Sequence, residues 1–216
     1  AKAISLLSKK NVVPGLAAIL IGDDTASSIY VKSKARAFNK LNCFSKIYHF
    51  DANVKKTIII DKIIALNNNS NFHGILLQLP LPGAINQEEL IQMIDPNKDV
   101  DCFHPLNQGY LLSGKHKFVP CTPLGCIEIL KYYNIKTSGK NVVIIGRSSL
   151  VGKPLATLLS QRSDFGNATV TLCHSRTKNL VSFTERADIL VSAVGHPNLI
   201  VGNYIYYLEI DYCSQT

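Results

Sequence analysis

The chain has no tryptophan, a single methionine and no long hydrophobic run. A membrane span needs about 18–20 consecutive apolar residues. The longest apolar stretches here, such as residues 16–21 and 74–77, are strand-sized. No Cys-x-x-Cys occurs among the six cysteines (43, 102, 121, 126, 173 and 213), and none has a histidine at zinc-ligand spacing. They read as free thiols of a reducing compartment. No signal-peptide layout opens the chain. Residues 1–7 instead read as the end of an amphipathic helix, with further sequence expected upstream. Acidic residues are few, 15 against 23 basic, giving a net charge of +8. That excess admits a polyanionic partner. The lysines are scattered, however, and no aromatics interleave with arginine. A small phosphorylated ligand accounts for the charge as well as a nucleic acid does.

With 46% hydrophobic and 18% charged residues over 216 positions, the composition is that of a globular protein. At about 100–200 residues per domain, the length allows one large or two modest domains. Strand-length apolar runs alternate with helical patterns. Strands are expected near 16–21, 45–50, 74–78, 141–145, 168–173 and 189–192. Helices are expected over 26–41, 55–67, 87–94, 123–133, 151–161 and 179–186. Thr122 is expected to cap the helix whose first position is Pro123. Strand–helix alternation implies an α/β fold with parallel sheets. Residues 95–119 break the rhythm and read as a long loop without period. They divide the chain into two α/β units, 1–119 and 120–216, whose ligands belong at the carboxyl ends of the strands.

In the second unit, strand 141–145 runs into Gly146-Arg147-Ser148, with Gly152 and Pro154 opening a helix. A glycine at the strand end lets the backbone turn tightly, and the helix offers its free N–H groups to an anion. Ser148 and Val151 replace two glycines of the usual Gly-x-Gly-x-x-Gly, so a plain strand–turn–helix also fits. The next strand ends His174-Ser175-Arg176. An NAD site expects an acid there. A hydroxyl and a cation, with Arg147, suit the 2′-phosphate of NADP instead. The third strand leads to Gly195-His196-Pro197, small enough at Gly195 to admit a nicotinamide ribose. His196 reads more simply as a solvated loop residue.

In the first unit, Tyr30 and Lys34 stand four apart on one helix face that begins at a strand's carboxyl end. A lysine beside an aromatic platform transfers protons if desolvation lowers its pKa. From spacing alone, a surface lysine resting its stem on Tyr30 is the plainer reading. Gln78 ends a buried strand, either facing the same crevice or merely capping the strand. Asp101 offers an acceptor for an amino-pyrimidine edge, or forms part of a charged turn. Asp99, Asp101 and His104 are too loosely arranged to predict a metal.

Together these motifs resemble the bifunctional methylenetetrahydrofolate dehydrogenase/methenyltetrahydrofolate cyclohydrolase family. The segments that carry the resemblance are Ala26-Ser27 with Tyr30-Val31 and Lys34, Gln78-Leu79-Pro80-Leu81-Pro82, Lys98-Asp99-Val100-Asp101, Pro120-Cys121-Thr122-Pro123 with Gly125, and Gly146-Arg147-Ser148 with Val151-Gly152 and Pro154. A further stretch, Ala187-Asp188-Ile189 through Gly195 and Pro197, continues it. The resemblance implies two α/β domains around a cleft: a folate-binding catalytic domain over 1–119, and a Rossmann-like NADP-binding domain over 120–216 that is C-terminally incomplete. It implies NADP-dependent oxidation of 5,10-methylenetetrahydrofolate to 5,10-methenyltetrahydrofolate, then hydrolysis to 10-formyltetrahydrofolate. By motif match, Lys34 is the general acid/base of hydrolysis, Tyr30 stacks on folate, Gln78 assists Lys34 and Asp101 anchors the pterin. Gly146, Arg147, Ser148, Ser175 and Gly195 hold NADP. A homodimer in the cytoplasm is implied, with no nucleic-acid, membrane or metal partner. Two departures stand out. The family has glycine where this chain has Cys102, so a side chain there crowds the pterin pocket or alters the loop if that position needs positive φ. After Gly202 the family pattern dissolves, which leaves a second reading: an impaired, truncated or frameshifted remnant that retains partial ligand binding.

Overall fold

A computed structural model describes residues 4, 6, 7, 9–83, 85–195, 199 and 200. The expectations for His196, Pro197 and the tail after Gly202 therefore lie outside the described residues. The chain falls into two compact units, Ala1–Leu106 and Asn107–Thr216.

Unit 1 is built on β1 (Gly15–Ile21), buried at all seven positions. It pairs in parallel with β2 (Phe44–Phe50) on one edge and β3 (Gly74–Leu77) on the other. Such a strand must be apolar on both faces, which is why it reads as a continuous hydrophobic run. Helix α1 (Thr25–Lys40) lays Val31 against Leu16, Ala18 and Leu76 on one face. On the other, Ala17, Ile19 and Ile21 meet Ile59, Ile63 and Leu66 of α2 (Lys56–Asn67). Leu90 and Ile91 of α3 (Gln87–Met93) join them. Consecutive connections thus cover opposite faces of a sheet ordered β2-β1-β3. The strand order reverses at β1, so the crevice belongs at its carboxyl end.

Helix α4 (Pro105–Leu112) occupies part of the segment expected to be a long loop. Proline at its first position costs no hydrogen bond. Leu106, Tyr110 and Leu112 are exposed, and the buried residues are Asn107 and Leu111, so no apolar stripe announces the helix.

Unit 2 repeats the plan. Its central strand β4 (Asn141–Ile145) lies between β5 (Thr169–Cys173) and β6 (Ile189–Ser192), all parallel. Val142 and Ile144 pack on Ile127 and Leu130 of α5 (Cys121–Tyr132) and on Leu155 and Leu159 of α6 (Gly152–Ser160). Val143 and Ile145 pack with Leu180 and with Phe183 of the short α7 (Val181–Thr184). Helix α5 starts two residues before the expected Pro123. Pro120 is its N-cap, without a side-chain bond, so Thr122 lies inside the helix and does not cap it. Pro123 is tolerated there because first-turn N–H groups have no intrahelical partner. Among the described residues, no helix is long and apolar enough to cross a membrane.

Asp24 caps α1, with Oδ2 accepting from the Ser27 N–H at 2.7 Å. That bond holds the Asp24 carboxyl below its ordinary range. A carboxyl lowered in the folded state stabilises above its unfolded pKa, and that contribution is lost as pH falls through the folded value. Asp24→Ala is therefore expected to lower the Tm at neutral pH. The gap from the unsubstituted chain should close in acid, as thermal melts across the carboxylate range would register.

Candidate functional site

The first cluster forms where β1 ends. Gly22 turns the chain, Asp24 starts α1, and the helix carries Tyr30 and Lys34 on one face. Lys34 Nζ sits 4.3 Å from the centroid of the Tyr30 ring. It also lies 3.9 Å from Asp101 Oδ1, with both side chains largely buried (24% and 15% exposed). Tyr30 itself remains 47% exposed, so its ring is accessible. Burial raises the Asp101 carboxyl above its ordinary value, Lys34 lowers it, and the nearby Asp99 raises it again. The group is thus a carboxylate whose protonation begins at unusually high pH.

The sequence-predicted residues divide into three groups. Tyr30, Lys34 and Asp101 are brought together. Gln78 follows β3, as expected, but its side-chain Nε2 donates to the Leu79 carbonyl at 2.8 Å, and no hydrogen bond joins it to Lys34. Gly146, Arg147, Ser148, Ser175 and Gly195 occupy the loops that follow β4, β5 and β6, the carboxyl ends of the unit 2 sheet.

The position of Cys102 has φ +59, so it does require the left-handed backbone that favours glycine. A cysteine there costs about 1–2 kcal/mol relative to an ordinary conformation. Its side chain is fully buried, and burial with the Asp99 charge pushes the thiol up to about 12.

Sequence reasoning gave Asp99 no role of its own, naming it only in the motif Lys98-Asp99-Val100-Asp101 and in a metal set too loose to predict. The side chain is buried, and its two oxygens accept from the N–H groups of Phe103 and His104. Nothing in residue identity marked that role, because the partners are backbone N–H groups. Among the described residues, no group of His, Cys, Asp or Glu is placed to hold a metal ion.

In unit 2 the chain leaves β4 through Gly146 at φ +120, where an added Cβ would overlap the Ala193 carbonyl. Gly152 lies so close that its own Cβ would overlap the Gly146 carbonyl oxygen. The two glycines let the strand end, the turn and the start of α6 nest together. Ser148 Oγ accepts from the Val151 N–H at 3.1 Å, and the Ser148 carbonyl accepts from Lys153 N–H at 3.0 Å. Arg147 and Ser148 are exposed, and the first turn of α6 carries no acid to repel a phosphate. After β5, the Thr177 hydroxyl accepts from the His174 N–H, presenting Ser175 and Arg176 outward. This set fits a dinucleotide phosphate at a helix N-terminus, with cations for a further phosphate. An apolar groove of about 580 Å³ lies elsewhere in the unit, between α5 and β6, and none of these residues lines it.

Because the methyl group of Gly152→Ala meets backbone rather than a movable side chain, the turn must open. We expect a lower Tm for unit 2 and loss of dinucleotide binding, read by differential scanning calorimetry and by equilibrium dialysis.

The catalytic-domain model of tetrahydrofolate dehydrogenase/cyclohydrolase matches residues 1–101, and the NAD(P)-binding-domain model matches residues 120–209. The bifunctional protein FolD of Bacillus subtilis is 49% identical over 205 residues, 95% of this chain and 71% of that protein. FolD of Natronomonas pharaonis is 47% identical over 94% of this chain and 68% of its own length. The crystal structure of the bifunctional FolD enzyme from Campylobacter jejuni superposes with a TM-score of 0.88 at 42% identity, over 94% of this chain and 71% of that one. The Trypanosoma brucei enzyme, complexed with NADP and an inhibitor, gives 0.87 at 34% identity, over 94% and 69%. With both domain models matched in order and about half of all positions shared with bacterial relatives, the chain belongs to the tetrahydrofolate dehydrogenase/cyclohydrolase family.

Proposed function

We propose that this chain oxidises 5,10-methylenetetrahydrofolate to 5,10-methenyltetrahydrofolate with NADP and hydrolyses the product to 10-formyltetrahydrofolate. The observation that carries the reading is the lysine held between a tyrosine ring and a buried carboxylate at the carboxyl end of β1. NADP, when bound, would supply the acceptor for the hydride leaving the substrate's methylene carbon. The protein's task in that step is orientation. Tyr30 offers its ring face to the folate, and Asp101 accepts hydrogen bonds from the pterin's amino edge. Hydrolysis adds water to the methenyl carbon, opens its bond to one ring nitrogen and releases a proton. Lys34 is the proton-transfer group of that step, as its place beside Tyr30 and Asp101 suits. The Gln78 amide assists Lys34 after turning away from the Leu79 carbonyl.

Gly146 and Gly152 admit the pyrophosphate to the backbone, Ser148 and Ser175 supply hydroxyls, and Gly195 leaves room for the nicotinamide ribose. Arg147 meets the 2′-phosphate. A cytoplasmic homodimer without nucleic-acid or membrane partners completes the reading, the dimer following from the family resemblance. Light scattering on the purified chain reads its oligomeric state.

Absorbance assays test the two steps separately. Lys34→Ala is expected to abolish hydrolysis while leaving measurable hydride transfer, and equal loss of both would overturn its role. Arg147→Ala is expected to raise KM for NADP about tenfold, the loss of one charge-assisted contact, with little change for NAD. Absence of turnover by the unsubstituted chain at high enzyme concentration would overturn the proposal.

A further inference from the structure

Asp99 is the buried carboxylate that the proposed mechanism leaves unused. It is 2% exposed, and its oxygens accept from Phe103 N–H at 3.1 Å and His104 N–H at 2.9 Å. Those bonds fold the chain back on itself just beyond Asp101. On the other side, the backbone at Asp99 bridges to Ile75 of β3, whose N–H donates to the Lys98 carbonyl at 2.7 Å. Lys98 Nζ donates to the Leu66 and Asn69 carbonyls, both at 2.9 Å, at the carboxyl end of α2. Asp101 is thus carried on a short hook anchored to β3 and α2 at one end and closed by Asp99 at the other.

The groups that face Asp101 are few. Helix α1 supplies Lys34, with Tyr30 beneath its ammonium. The hook supplies Asp99, which also bears on the neighbouring Cys102 thiol and helps keep it protonated. His104 is turned aside, its Nδ1 accepting from the Leu106 N–H. A carboxylate two residues from another, in a region that excludes water, acts on it by charge as well as by geometry.

We propose that Asp99 is a positioning residue for the folate site: it closes the hook that presents Asp101 to Lys34. The kinetic part of this inference rests on the folate reading given above, whereas the structural part does not. Removing the Asp99 charge takes away one of the two influences that favour protonated Asp101, so Asp101 must then ionise at lower pH. An amide at position 99 also keeps only one acceptor oxygen for two N–H groups, which loosens the hook.

The experiment uses the full 216-residue chain with carbon-labelled aspartate side chains, the Asp101 resonance being assigned through Asp101→Asn. In Asp99→Asn, Asp101 is expected to titrate at lower pH than in the unsubstituted chain. KM for methylenetetrahydrofolate is expected to rise about fivefold, the scale of one net hydrogen bond, with its acid limb displaced the same way and KM for NADP unchanged. Asp99→Glu, which restores the charge, is expected to return the Asp101 titration toward its original pH. An unmoved Asp101 titration, or an unchanged folate KM in an active enzyme, would overturn the inference. If Asp99→Asn does not fold, the unsubstituted chain decides: the Asp99 resonance must register the Asp101 titration step, and independence of the two overturns the proposal. Failure of the folate reading shows separately, as absence of turnover in the unsubstituted chain, and leaves the titration arm in force.

Discussion

Each unit hangs on one strand that is paired along both edges and covered on both faces. β1 and β4 lie at the centre of their sheets, and the connections from each leave to opposite faces. Burial on both sides leaves no polar face along the strand, so chemistry can appear only where the strand stops. At the end of β1 the chain turns into α1, which carries Tyr30 and Lys34. At the end of β4 it turns through Gly146 into α6. The position of both candidate sites is therefore fixed by the same topological necessity, although their residues share nothing.

The sites then solve different problems. Unit 1 assembles side chains: a cation, a ring and a carboxylate brought from α1 and from a distant loop, with a second buried acid behind them. Its behaviour is governed by desolvation and by charges at close range. Unit 2 works mainly through backbone. Two glycines permit a close turn at the start of α6, and the charged groups, Arg147 and Arg176, stand in solvent. Contacts of that exposed kind weaken as salt rises, while the Lys34–Asp101 pair is shielded from it. The net positive charge thus has a local meaning in a few cations rather than a global one.

What could be read in the sequence follows from this division. The six described strands were legible to within a residue or so. β1, β3 and β4 are apolar runs because both their faces are covered, whereas β2 and β5 interleave polar residues and are only partly buried. Tyr30 and Lys34 were legible as a face because helical spacing is local. Helix α4 was not, since Leu106, Tyr110 and Leu112 point to solvent and only Leu111 and the polar Asn107 turn inward. The start of α5 was misplaced because Thr122 and Pro123 look like a cap and a first residue, yet serve as its second and third. Asp99 was invisible as an organiser. Its partners are backbone N–H groups four and five residues on, and such bonds leave no trace in residue identity.

The left-handed positions hold a final consequence. Among the described non-glycine residues with positive φ, all are asparagine except Cys102. Asparagine tolerates that conformation through local hydrogen bonding; the cysteine sulfur has no comparable means and is sealed from solvent with its proton retained. Its reactivity is therefore a clock for opening. Cys121 lies exposed, whereas Cys102 becomes nucleophilic only when the hook around Asp101 comes apart. The rate at which that single sulfur is modified measures how often this part of unit 1 loses its shape.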